Sequence, residues 1–293
     1  MLVLEHDAQV LSVAFSPDGE TILTNTFEGG TFLWEAVTGR RIRRFPQSGN
    51  QTLFALFSPD GQSIFSPSLG YGEAALYEVA SNCEHRLWRA IGAFAAAFSL
   101  DGSSLLITGD GGEQGVVQIF DVTRRELLRV LESHQEWELD SVTYSSDGTK
   151  IIAGTGYKMF IWETETGKLL HTLTGVSAIR CLTSTPSTPM ILAGCDDGIH
   201  VWNVVTGEEL RAILLGSPIL SLAFSSDGAY LLAGSEDAVA QLWKWPECTH
   251  GQTFKGHTGA VTSVAFSPDG TTLLTGSLDT TARVWPMNAE RRL

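Results

Sequence analysis

Basic residues are scarce in this chain: 19 Lys and Arg stand against 33 Asp and Glu, a formal net charge of −14. A surface of that sign repels nucleic-acid phosphates and anionic membranes, so neither is an expected partner, whereas a basic protein or peptide segment is. Charge of either sign is thin, at 18% of residues, which argues against a chain of solvated helices. Cysteine is rare too. Cys83, Cys181, Cys195 and Cys248 are scattered with no C-x-x-C pair, so no zinc framework is legible; a disulfide stays open, with a reduced, cytoplasmic setting the simpler reading. No apolar run approaches the roughly 18 residues of a membrane-spanning helix. The start, Met-Leu-Val-Leu-Glu-His-Asp, lacks the basic head and long apolar stretch of a secretory signal. G-x-S-x-G, P-loop and H-E-x-x-H motifs are all missing, so no catalytic residue, no metal site and no cofactor is expected.

What the chain has in quantity is glycine, 30 residues within a composition that is 43% hydrophobic. That mixture suits strands joined by tight turns and is enough for a packed core. Much of it lies in one repeated turn. Phe15-Ser16-Pro17-Asp18-Gly19 returns at Phe57 to Gly61, Phe98 to Gly102, Tyr144 to Gly148, Phe224 to Gly228 and Phe266 to Gly270, with a degenerate copy at Ser184-Thr185-Pro186-Ser187-Thr188. The steps between its Asp positions are 42, 41, 46, 40, 40 and 42. A second marker, an aromatic residue after an apolar one, falls at Trp34, Tyr77, Phe120, Trp162, Trp202, Trp243 and Trp285, with steps of 43, 43, 42, 40, 41 and 42. Two independent markers agree on seven copies of about 42 residues.

Each copy reads as strands separated by turn chemistry. In the last, Val261 to Phe266, Thr272 to Ser277 and Thr281 to Trp285 are strands a, b and c; in others a Thr-Gly turn leads to a strand d, as at Arg41 to Phe45 or Glu209 to Leu214. Pro sets φ early in the a–b turn and Gly accepts positive φ at its end. Four antiparallel strands make a sheet with two apolar faces. Only a radial arrangement of all seven copies covers both faces of each, so the fold class is all-β and the architecture a seven-bladed β-propeller over residues 1–293.

The pattern resembles the WD-repeat (WD40) family over the whole chain, and its uniform turns resemble prokaryotic members. The fullest copy is Gly256-His257, Val264 to Gly270, Thr275-Gly276-Ser277, Asp279 and Val284-Trp285. The family's usual Asp after Trp is absent: Glu35, Glu163, Asn203, Lys244 and Pro286 follow the tryptophans. The resemblance implies that Leu2-Val3-Leu4 supplies the missing fourth strand of the last blade. It also implies a structural tetrad of His257, Thr275, Asp279 and Trp285. The first copy matches through His6, Thr24 and Trp34, with Glu28 replacing the Asp. Ala153 and Ala193 remove the strand-b hydroxyl in copies four and five, which leaves those blades to hold by packing alone. His6, His134 and His257 fall on separate blades, so they do not share a metal.

The resemblance further implies a non-enzymatic scaffold that binds a protein or peptide on the top face, where the d–a and b–c loops meet. A monomer is expected. The alternatives are a propeller that binds or turns over a small molecule at its central channel and a purely structural assembly unit. The Asp-box of sialidase propellers places Gly two residues after Asp, whereas here Gly follows directly, and this counts against catalysis. Partner contacts are expected over blades two to four, from Tyr71, Trp88, Arg89, Glu113, Trp137 and Glu138. The segments around Tyr71 and Glu113 are lengthened and glycine-rich, Trp88-Arg89 is read at the Gly-His position, and Trp and Arg are the side chains that dominate binding hot spots. Finally, Asp140 and Arg180 occupy one position on adjacent blades where the other copies are uncharged, which predicts that the two face each other or meet through water.

Overall fold

The computed structural model describes residues 1–45, 52–67, 73–81, 84–89, 93–110, 115–133, 139–175 and 177–287, with the backbone alone described at 73, 84–89 and 110. Among them, 28 strands form seven four-stranded antiparallel sheets arranged as a propeller. Blade one is Val10–Phe15, Thr21–Thr26, Gly30–Glu35 and Arg41–Phe45, hydrogen-bonded in that order as strands a to d. Strand a lines the axis: Val10–Phe15 touches Leu56–Phe57 of blade two on one side and Val261–Phe266 of blade seven on the other.

Burial grades outward along each sheet. In blade five the b strand Met190–Cys195 and c strand Gly198–Asn203 are buried over nearly their whole length, while the d strand Glu209–Leu214 is largely exposed. Strands b and c are covered on both faces, so they lose strict polar alternation and read as near-continuous apolar runs. The core is a set of clusters between blades. Leu192, Ile199 and Val201 of blade five meet Ile219, Leu222, Leu231 and Trp243 of blade six, and each such aliphatic side chain contributes about 1.5–3 kcal/mol by leaving water.

The repeated turn explains itself in its hydrogen bonds. Ser16 Oγ donates to Asp18 Oδ1 at 2.5 Å and accepts from the Thr21 amide at 2.9 Å, while Asp18 Oδ1 also accepts from the Glu20 amide at 2.9 Å. Ser58, Ser99, Ser145, Ser225 and Ser267 bond Asp60, Asp101, Asp147, Asp227 and Asp269 in the same way. These bonds favour the ionised carboxyl and hold Asp101 and Asp147 down at about 2. The closing glycines sit at φ of +64° to +75°, where a side chain is strained. A Cβ at Gly61 would also meet the Pro17 ring of the previous blade at 3.2 Å.

The ring is closed by the N-terminal strand. Leu2–Glu5 pairs antiparallel with Thr281–Pro286, in the register Leu2↔Val284, Val3↔Arg283, Leu4↔Ala282 and Glu5↔Thr281. Inner-strand hydroxyls reinforce the seam: Val13 N donates to Ser263 Oγ at 3.1 Å, and Thr262 Oγ1 donates to Val10 O at 2.7 Å. The Ser263 bond recurs where Ala55 N donates to Ser12 Oγ and Val264 N to Ser221 Oγ. Deleting residues 1–5 removes the buried Leu4 and bares the edge of Thr281–Pro286. The truncated chain should melt at lower temperature and over a wider range in calorimetry; an unchanged transition would show that the seam does not carry stability.

Candidate partner-binding rim

One polar chain fixes the rim of blade seven. Trp285 Nε1 donates to Thr275 Oγ1 at 2.9 Å, and the same hydroxyl lies 2.7 Å from His257 Nε2. The ionised Asp279 Oδ2 can only accept, so His257 Nδ1 carries the proton and donates to it at 2.8 Å, and Nε2 of the neutral ring accepts from Thr275. Asp279 also accepts from the Thr258 amide and the Thr281 hydroxyl. Although burial opposes its charge, bonds from Thr281, Thr258 and His257 hold Asp279 at about 2. Burial in turn lowers His257 below its usual value and keeps the ring neutral, as the relay requires.

Other blades depart from this relay in three ways. In blade one, Trp34 donates to Thr24 and Thr24 lies 2.8 Å from His6 Nε2, but His6 Nδ1 donates to the Leu4 carbonyl, 3.1 Å away. Between blades one and two, Asn25, Thr31, Thr52 and Ser66 make a buried amide and hydroxyl cluster. In blade six, Ala233 faces Gln241 where Thr275 faces Arg283 in blade seven, and the buried Trp243 Nε1 finds no hydrogen-bond partner.

Blade five corrects the expectation of packing alone. Asp197 stands four residues after Ala193, as Asp279 stands four after Thr275. Its partner is His200, a buried residue of strand c, with Nε2 at 3.0 Å from Asp197 Oδ1 and Nδ1 at 2.7 Å from Glu209 Oε1. The ring enters from the sheet itself instead of the d–a loop and stacks on Trp202 at 5.5 Å. Burial works against its charge, but the bonds and charges of Glu209 and Asp197 outweigh that and raise its pKa above the usual value. His200 was missed in the sequence because it lies outside the Gly-His position; the signal was a histidine two residues before the repeat tryptophan, three after the repeat aspartate.

On the rim itself, Arg180 forks onto Asp196, with Nε–Oδ1 at 2.6 Å and Nη2–Oδ2 at 3.1 Å. The direct partner of Arg180 is thus Asp196 in the b–c turn of its own blade, while Asp140 and Glu236 act on it through the electrostatic field. Burial pushes the Asp140 carboxyl up, partly offset by a bond from the Gly156 amide. Arg180, Asp140 and Glu236 are exposed, so three acids surround one arginine across blades four to six. Among the acids of the b–c turns, Asp197 and Asp279 turn to histidines and Asp237 accepts from the Ser235 hydroxyl.

Of the residues expected to bind a partner, Tyr71, Glu113, Trp137 and Glu138 lie outside the described residues, as does His134. Trp88 and Arg89 close the d strand Glu84–Arg89, with Arg89 in register with Glu73. They belong to that strand and not to the d–a turn, because blade two begins its fourth strand seven residues after Tyr77 and carries it to position 89.

A family model described as WD domain, G-beta repeat matches residues 2–35, 167–203, 209–244 and 248–286, about half the chain. The chain is 35% identical over 66 residues to an uncharacterized WD repeat-containing protein of Synechocystis, covering 22% of this chain and 19% of that one. It is 22% identical over 189 residues to a periodic tryptophan protein 2 homolog of Dictyostelium discoideum, covering 64% of this chain and 16% of that one. The matched region thus spans less than a fifth of either relative.

Two outcomes are expected from these networks. Burial lowers His6 from 6.5 to about 4, with bonds to the Leu4 and Thr280 backbone offsetting part of it. A depressed histidine contributes stability that is complete above its unfolded value and is lost as pH falls toward the folded one. Between pH 7 and pH 5 this removes about 2 kcal/mol, and His6→Gln should flatten that part of the melting-temperature profile. Ala233→Ser gives Trp243 Nε1 an acceptor, worth about 1 kcal/mol, and should raise the melting temperature by roughly 2 °C; a lower one would mean that the hydroxyl does not reach the indole.

Proposed function

Because the chain belongs to the WD-repeat family, we propose that it works as a non-catalytic interaction module whose top rim binds a partner protein or peptide of basic character. The observation that carries this reading is the exposed group Asp140, Asp196 and Glu236 around Arg180. Arg180 is already neutralised by its fork onto Asp196, so the remaining field is negative and suits lysine and arginine side chains, speeding their approach. Binding residues carried on loops of a rigid scaffold are positioned at little entropic cost, and the buried relays below this rim supply that rigidity. The aromatic and arginine side chains of Tyr71, Trp88, Arg89 and Trp137, with Glu113 and Glu138, extend the proposed surface over blades two to four. The chain acts in this reading as a cytoplasmic monomer.

Affinity capture from the native cell extract tests it, with the parent chain beside an Asp140→Lys/Glu236→Lys variant. The parent should retain a defined protein whose recovery falls as salt is raised. The variant should melt like the parent yet bind that protein roughly tenfold more weakly, about 1.4 kcal/mol. Equal recovery by both chains would remove the rim of blades four to six from the binding surface.

A further inference from the structure

We propose that Cys195, Asp197 and His200 of blade five form a binding site for one zinc ion. The three donor atoms, a sulfur, a carboxylate oxygen and an imidazole nitrogen, lie within 4.8 Å of one another. Zinc bond lengths of about 2.0–2.3 Å place tetrahedral donors roughly 3.3–3.6 Å apart, so a small inward adjustment closes the set, and His200 Nε2 and Asp197 Oδ1 are already at 3.0 Å. Sulfur, nitrogen and oxygen together suit zinc and exclude the hard cations, which take oxygen alone.

The sheet brings these donors together. In the register Ala193↔His200 and Cys195↔Gly198, Cys195 and His200 are diagonal neighbours on one face of the b–c hairpin. Gly198, at φ +149°, lies so close to strand d that a Cβ there would meet the Ile213 carbonyl at 2.1 Å, and Asp197 precedes it in the b–c turn, within hydrogen-bond distance of His200. Cys195 is buried at 1% exposure, whereas the Asp197 side chain is 39% exposed; the open side gives an ion its entry and leaves room for water as a fourth ligand.

Two further features fit a metal better than a plain ion pair. Glu209 accepts from His200 Nδ1 at 2.7 Å, which fixes the ring with Nε2 directed at the site, the carboxylate–histidine arrangement that supports metal ligands. Cys195 and His200 also depart together from the repeat. The matching b-strand ends in blades one, four, six and seven are Thr26, Thr155, Ser235 and Ser277, and the matching c-strand positions in blades three and six are Gln118 and Gln241. Burial keeps the free thiol protonated, pushing it up to about 12; on binding, the thiol proton and the Nε2 proton that His200 donates to Asp197 both pass to solvent, and the thiolate and the freed Nε2 ligate the ion while Nδ1 stays bonded to Glu209.

The test uses the full chain, stripped with chelator and titrated with Zn2+ by calorimetry, and with Co2+ followed by absorbance. One equivalent of Zn2+ should bind at micromolar concentration or tighter and raise the melting temperature. The Co2+ form of the unsubstituted chain should show thiolate-to-metal charge transfer in the near ultraviolet. Cys195→Ser and His200→Gln install residues that the other blades carry at these positions, so both variants should melt close to the stripped parent. Each should bind Zn2+ at least roughly tenfold more weakly, and the charge-transfer band should vanish in Cys195→Ser. Absence of saturable binding, a Co2+ spectrum without thiolate, or unchanged affinity in either variant would overturn the site.

Discussion

A sheet of four strands cannot cover its own two faces, and in this molecule every other structural feature depends on that constraint. Each interblade cluster needs a blade on both sides, so the ring must close or leave apolar faces and strand edges bare. Closure falls to four residues, Leu2–Glu5, paired with Thr281–Pro286. This pairing joins the two ends of the chain within one sheet, so no blade can be lost from the end without opening the ring. The hydroxyls of Thr262 and Ser263 bond across the same seam near the axis. The junction is thus held at the inner strand and at the outer strand together.

Within that frame, the blades solve one local problem by different means. The repeat tryptophan brings an indole N–H into an apolar interface, where an unmet donor is costly. Blades one and seven meet it with Thr24 and Thr275 and continue the relay to a histidine. Blade six, with Ala233, leaves the Trp243 donor unmet. Blade five also has alanine, yet it satisfies its repeat aspartate from strand c through His200. Stability is therefore uneven around the ring even though the backbone is nearly regular. The polar residues that break the pattern form two groups, one between blades one and two around Asn25 and one in blade five around His200.

The fold was legible because two markers repeat with the same period, and periodicity survives substitution. The strand limits Arg41–Phe45, Glu209–Leu214, Val261–Phe266 and Thr272–Ser277 follow from turn chemistry alone. Closure was legible because a three-strand copy at one end matched a lone strand at the other. The rim was less so. Arg180 and Asp140 were read as partners because a shared repeat position gives proximity between blades, but the hairpin of Arg180's own blade offers Asp196 closer at hand. Trp88 and Arg89 were read into a loop because a shifted strand d is invisible when only the tryptophan marker is counted. His200 escaped because aligning copies finds residues that agree with the repeat, whereas this ring does the work of a loop histidine from another strand.

The two rims also differ in what they can absorb. On the a–b side, four of the turns lie against a neighbouring one: Pro17 against Gly61, Pro59 against Gly102, Pro186 against Gly228, and Pro268 against Gly19. An inserted residue at one of these contacts would displace the neighbouring turn. The unequal repeat steps of 40 to 46 residues are spent largely among the d–a and b–c connections. Differences in repeat length are therefore taken up on one side of the disc, while the opposite side carries nearly the same turn from blade to blade.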